Sequence, residues 1–144
     1  MFDRMMAMAV LAASDISRAK AWWHDVLGRD PVHEEPEGGV LFYDLGGTGV
    51  MVYQTDYAGT AKNTTLNLLT DDLDRDMTAL RTNGVVFHDY DLPGLKTEHG
   101  VAELGEERSA WFSDSEGNII AIAQPVPETL EMAMKLRSAA AGRA

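Results

Sequence analysis

Few side chains in this sequence are equipped for covalent or metal chemistry. There are four histidines, His24, His33, His88 and His99, and no cysteine. Without cysteine there are no disulfides, thiolate metal sites, iron–sulfur clusters or thiol nucleophile. His24 lies between Trp23 and Asp25, and His33 stands beside Glu34 and Glu35. Both read as solvent-facing. His88 ends a short apolar run, and His99 sits between Glu98 and Gly100. A metal held by His88, His99 and nearby acids would have no helical His-x-x-x-His or similar spacing behind it. An enzyme built here would need Tyr53, Asn67, His88 or His99 to converge. No P-loop, no Gly-x-Gly-x-x-Gly after a strand and no Gly-x-Ser-x-Gly elbow is present.

The bulk properties narrow the classes further. A length of 144 residues suits one domain, or two small units around a shared core. The net charge of −11, from 23 acidic and 12 basic residues, argues against nucleic acid as a partner, because phosphate binding needs clustered Lys and Arg. No apolar run approaches the roughly 20 residues of a membrane span. The segment Met1–Leu11 is apolar but lacks a basic leader, so it reads as a strand rather than a signal peptide, and the expected location is the cytoplasm.

The elements that would position these residues are written twice. Ser14-Asp15-Ile16-Ser17-Arg18 and Asp71-Asp72-Leu73-Asp74-Arg75 each follow an apolar run and open a helical pattern. Asp15 and Asp72 are N-cap residues, whose carboxylates accept from the open amides of a first turn. Ile16, Ala19, Trp22, Trp23, Val26 and Leu27 make one apolar face of the first helix; Leu73, Met77 and Leu80 do so in the second. Trp22 and Trp23 are read as core or interface residues. Gly28 and Gly84 stand where a left-handed residue stops each helix.

Strands follow each helix. The first set is Val32–Glu35, Val40–Leu45 and Val50–Gln54, the last two joined by Gly46–Gly49. The second set is Val85–His88, Ala110–Ser113 and Ile119–Ala123, with an irregular stretch over 89–105 that either caps a cleft or wraps a sheet edge. A helix begins after Pro127, with Leu130, Met134 and Met132 predicted to face inward.

Three segments resemble the vicinal-oxygen-chelate superfamily of glyoxalases, bleomycin-resistance proteins and dioxygenases. They are Val10–Gly28, Leu66–Gly84, and the turn and strand Trp111–Ile120, with Ser115 in place of the family's Pro. The resemblance implies an α+β fold of two tandem βαβββ modules, at about 4–56 and 64–124, in a single domain over 1–124. They would form an open, curled mixed sheet around a cleft, followed by a helical tail at 125–144. It also implies a homodimer and a small-molecule ligand.

The family's four metal ligands, typically His or Gln, Glu, His and Glu, point inward from four strands. Carried over one at a time, they fall on Met8, seven residues before Asp15; on Thr65, seven before Asp72; on Ala121 after the Gly-Asn turn; and on Met51. A thioether, a hydroxyl and a methyl are poor partners for a hard divalent cation. The expectation is therefore a cleft without metal or other cofactor, lined by Met8, Met51, Tyr53, Thr65, Asn67, Trp111 and Ala121. Such a lining suits an apolar or aromatic compound. The alternative is a lyase- or dioxygenase-class enzyme with a non-standard metal or none.

Overall fold

The computed structural model describes residues 1–142 and divides the chain into two compact units. One comprises Met1–Ala61 with Ser115–Asn118; the other comprises Lys62–Asp114 with Ile119–Ala144. The last two residues of the predicted tail, Arg143 and Ala144, lie outside the described residues.

In the first unit a short 3-10 turn over Phe2–Arg4 precedes β1 (Ala9–Ala13), α1 (Ile16–Leu27), β2 (His33–Glu34), β3 (Val40–Leu45) and β4 (Thr48–Gln54). The strands lie in the order β1-β4-β3-β2, with β1 parallel to β4 and the remaining pairs antiparallel. Alternation along the strands sends Leu11, Ala13, Leu41, Tyr43, Val50 and Val52 to the side covered by α1, where Ala19, Trp23 and Val26 are buried with them. The Trp23 and Tyr43 rings stack with centroids 4.1 Å apart. Asp15 caps α1 by accepting from the Arg18 amide, and Gly28 ends it at φ 63. The β3–β4 turn needs two residues with positive φ, and Gly46 and Gly47 supply them.

The second unit holds β5 (Thr64–Leu69), α2 (Leu73–Thr82), β6 (Asp91–Leu92), β7 (Leu95–Glu98), β8 (Val101–Leu104), β9 (Glu107–Ser113), β10 (Ile119–Gln124) and α3 (Pro127–Ala141). Its sheet runs β5-β10-β9-β8-β7-β6, with β5 and β10 parallel. Leu73 and Met77 of α2 are buried on the side of Ile120, Ile122, Ala110 and Phe112. Phe87 meets Phe112 edge to face at 5.7 Å. Asp72 caps α2 through the Arg75 amide, as the repeat predicts.

Four expectations need correction. Residues 89–105 are not irregular but supply three short strands, ending in β6 at the sheet edge, whose polar sequence and short length hide the period of two. Val85–His88 is no strand, because only Phe87 bridges Phe112. The predicted Val32–Glu35 shrinks to His33–Glu34. α3 buries no side chain, and Met132 and Met134 are 49% and 51% exposed. Its apolar residues are interleaved with Glu131, Lys135 and alanines, so no continuous stripe drives it onto a sheet.

Candidate functional site

Each sheet has one face under its helix, and the predicted strand residues stand on the opposite face, which exposes Val10, Tyr53 and Asn67 but buries Ala121, Ala123, Ser109 and Ala102. On the first sheet Met51 stands between Val10 of β1 and Phe42 of β3, and Tyr53 stands between Ala12 and Val40. Met8 precedes β1 and is 45% exposed. Its side chain lies where a Cβ on Gly49 would come within 3.0 Å, so the glycine makes room for the thioether. Phe42, absent from the predicted set, carries much of this face; its alternation with buried Leu41 and Tyr43 is the signal that reveals it. His33 stands opposite Phe42, with its ring 5.6 Å away.

On the second sheet Asn67, Ala121 and Trp111 form one row across β5, β10 and β9. Asn67 is exposed, Trp111 half-buried, and Ala121 only 5% exposed, which makes it the floor beneath the other two. A register shift between Ile119 and Ile120 breaks the simple parity at Thr65. Thr64, not Thr65, pairs with Ile119, and it is the Thr64 hydroxyl that accepts from Trp111 Nε1 at 3.2 Å. The Thr65 hydroxyl is spent on the Ile119 carbonyl at 3.1 Å.

Beside this row lies a polar chain. His88 Nε2 is 3.0 Å from Ser113 Oγ, and His88 Nδ1 is 2.9 Å from the Tyr90 hydroxyl. Tyr90 in turn meets Trp111 edge to face at 5.7 Å. The His88 amide donates to the Trp111 carbonyl, which fixes the imidazole beside β9. Tyr90 is placed by Thr97, whose hydroxyl accepts from the Tyr90 amide. His99 is not part of this group. It lines a groove of about 550 Å³ on the helix side, with Asp74, Met77, Arg81, Lys96 and Glu98. His88 and His99 thus do not assemble. His24 is an exposed partner of Asp30 at 2.8 Å.

The Trp111–Ile120 segment has a second role that sequence reasoning missed. Glu116 is buried and accepts from the Ser14 and Asp15 amides at 3.0 and 2.9 Å, and from Arg18 Nε at 2.8 Å. Burial pushes its carboxyl up. Hydrogen bonds from Arg18, the Asp15 amide and Ser115, with the Arg18 charge, outweigh that and hold it at about 2. Gly117 takes φ 85, and a Cβ there would come within 2.9 Å of the Gly59 Cα. Asn118 Nδ2 donates to the Ala12 carbonyl.

A βαβββ unit repeated in tandem, closed by this Gly-Asn turn, is the arrangement matched by the model of the Glyoxalase/Bleomycin resistance protein/Dioxygenase superfamily over residues 5–122. The chain belongs to that superfamily. Its fold is shared with a glyoxalase/bleomycin resistance protein from Streptomyces sp. CB03234, at 27% identity and TM-score 0.56, covering 82% of this chain and 100% of that one. TnmS3, an antibiotic binding protein from Streptomyces sp. CB03234, is 25% identical with TM-score 0.53, over 85% of this chain and 98% of that one. The fosfomycin resistance protein FosX from Listeria monocytogenes, complexed with Mn(II), shares the fold at 13% identity and TM-score 0.62, over 87% and 93% of the two chains. No curated protein matches the chain.

The residues to which the resemblance assigns the superfamily's metal-ligand positions are a poor fit to a divalent metal. Met8, Met51, Thr65 and Ala121 offer two soft thioethers, one hydroxyl already bonded to a carbonyl, and no fourth donor. Among the described residues no three His, Asp or Glu side chains are grouped to hold a metal. No helix there is long and apolar enough to cross a membrane.

Proposed function

We propose that this protein binds an apolar or aromatic small molecule on the open faces of its sheets, without a metal, and sequesters it rather than transforming it. The observation that carries this reading is the accessible row of Val10, Met51 and Phe42 on the first sheet, where the superfamily would place a metal ligand. Val10 is 49% exposed, and such an apolar surface gains roughly 25 cal/mol for each Å² that a ligand covers. Two methionines, Met8 and Met51, let the surface adapt to shape. The likeness to TnmS3, which binds an antibiotic, supports the same reading. The protein acts as a homodimer, a proposal supported by the exposed Met5, Met6 and Val10 side chains.

Two measurements test this. Elemental mass spectrometry of untagged protein grown with divalent metals should find far less than one metal per chain. A thermal-shift screen should find aromatic compounds that raise the Tm in proportion to the logarithm of their concentration, with no consumption of the compound. One tightly held metal per chain, or turnover of the bound compound, overturns the proposal. Sedimentation velocity reads the dimer.

A further inference from the structure

The second open face carries hydrogen-bonding capacity that an apolar ligand would leave unused. Trp111 Nε1 is occupied by Thr64, and the Thr65 hydroxyl by a backbone carbonyl. The Ser113–His88–Tyr90 chain is different, because it ends in two hydroxyls, and Ser113 is exposed.

A neutral imidazole has one N–H and one lone pair. One of the two hydroxyls therefore donates into the ring, and the other accepts from it. The accepting hydroxyl keeps its own hydrogen for an outside partner, and the donating one offers only lone pairs. With a neutral imidazole the chain presents a donor at one end and an acceptor at the other. Exchanging the imidazole tautomer, with both hydroxyls turning, swaps the ends. A built-in pair of this kind can meet either a hydroxyl or a carbonyl oxygen, and it stands next to the Trp111 ring, a flat surface for an aromatic body.

We propose that Ser113, His88 and Tyr90 form the polar anchor of the ligand site, and that the ligand is an aromatic compound bearing a hydroxyl or carbonyl oxygen. Either Ser113 or Tyr90, at one end of the chain or the other, would touch that oxygen. His88 acts through them as a positioning residue. The inference rests on the proposed uptake of aromatic compounds, so its test separates the two.

The probes are 2-naphthol and 2-methylnaphthalene, nearly equal in size and differing by one oxygen, titrated into the full chain by tryptophan fluorescence. The wild-type protein should bind 2-naphthol more tightly by roughly three- to tenfold, the net effect of one hydrogen bond. In the Ser113→Ala, Tyr90→Phe double variant the ratio should fall to about one, while the affinity for 2-methylnaphthalene stays as it was. Ser113→Ala alone, at an exposed position that leaves the fold undisturbed, should lower the ratio by part of that amount. A wild-type ratio near one, or a ratio that survives the double variant, overturns the anchor while leaving aromatic binding intact. Equal loss of both probes in the double variant assigns the chain to holding Tyr90 in place and also overturns the anchor. Failure of the wild-type protein to bind either probe overturns the site itself.

Discussion

On the open face of the first sheet, Val10, Met51 and Phe42 stand in one row, and Ala12, Tyr53 and Val40 in the next. Apart from the Tyr53 hydroxyl and the His33 ring that ends the first row, those two rows offer a ligand no strong hydrogen-bonding side chain. The equivalent face of the second sheet places Asn67 and Trp111 around Ala121 and adds the hydroxyl-ended chain through His88. One supersecondary plan therefore carries two chemistries. The faces under the helices are constrained by packing and stay aliphatic and aromatic, whereas the open faces are free to differ. The helix starts differ as well. α1 is held by the charged Glu116, about a hundred residues away in sequence, whereas the distant partner of the α2 start is the neutral Gln124, whose Oε1 accepts from the Leu73 amide at 2.9 Å, beside the local Asp72 cap and the pairs of Arg75 with Asp71 and Asp76.

The largest test of that contrast is at the helix starts. Glu116→Ala removes a buried carboxylate that accepts hydrogen bonds from Ser14, Asp15, Arg18 and Ser115, and should destabilise the protein by about 3 kcal/mol in urea denaturation. Asp71→Ala, which breaks an exposed pair with Arg75, should cost less than about 0.5 kcal/mol. Equal effects would break the comparison.

The same carboxylate gives an acid dependence with a definite sign. Its folded-state value of about 2 lies below the ordinary 4.5. The stabilisation is fully present above about pH 4.5 and is lost as the pH falls toward 2. The wild-type urea midpoint should therefore drop over that window, and Glu116→Gln should flatten the drop.

On the open faces the expected effects are smaller. Trp111→Ala should weaken 2-naphthol binding roughly tenfold, through lost aromatic surface and a vacant flank beside Tyr90. Met51→Ala, on the first sheet, should leave 2-naphthol binding within about twofold of the wild type. A larger loss there than at Trp111, read by the same fluorescence titration, would move the aromatic contact to the first sheet. Smallest of all is Tyr43→Phe. That hydroxyl is buried without a hydrogen-bond partner, and burial pushes it up to about 12. Removing it should leave the urea midpoint unchanged or raise it by up to about 1 kcal/mol equivalent.

Local physics made part of this protein readable from its residues alone. Asp15 and Asp72 cap the helices they were expected to cap, and Gly28 ends α1 with positive φ, because a cap is satisfied within three or four residues of itself. Val40–Leu45 appears with the predicted bounds, because its alternation is undisturbed by bulges or edges. Met51 and Tyr53 share one face of β4, as alternation dictates, whereas the register shift beside Thr65 leaves no mark in residue types. The strands at 91–104 were hidden because they are two to four residues long and mostly polar, too short to show a hydrophobic period.

Tertiary structure alone decided the rest. The Glu116–Arg18 pair spans 98 residues, and the Ser113–His88 contact spans 25. No local pattern couples residues so far apart. The repeated pattern of apolar runs and Asp-capped helices pointed to two βαβββ units, and the resemblance to the superfamily implied the positions where hard donors are lacking. Only the folded chain could bring a serine, a histidine and a tyrosine from a turn-proximal strand end and a loop into one line, because hydrogen bonds between distant residues exist only after the sheets have set their register.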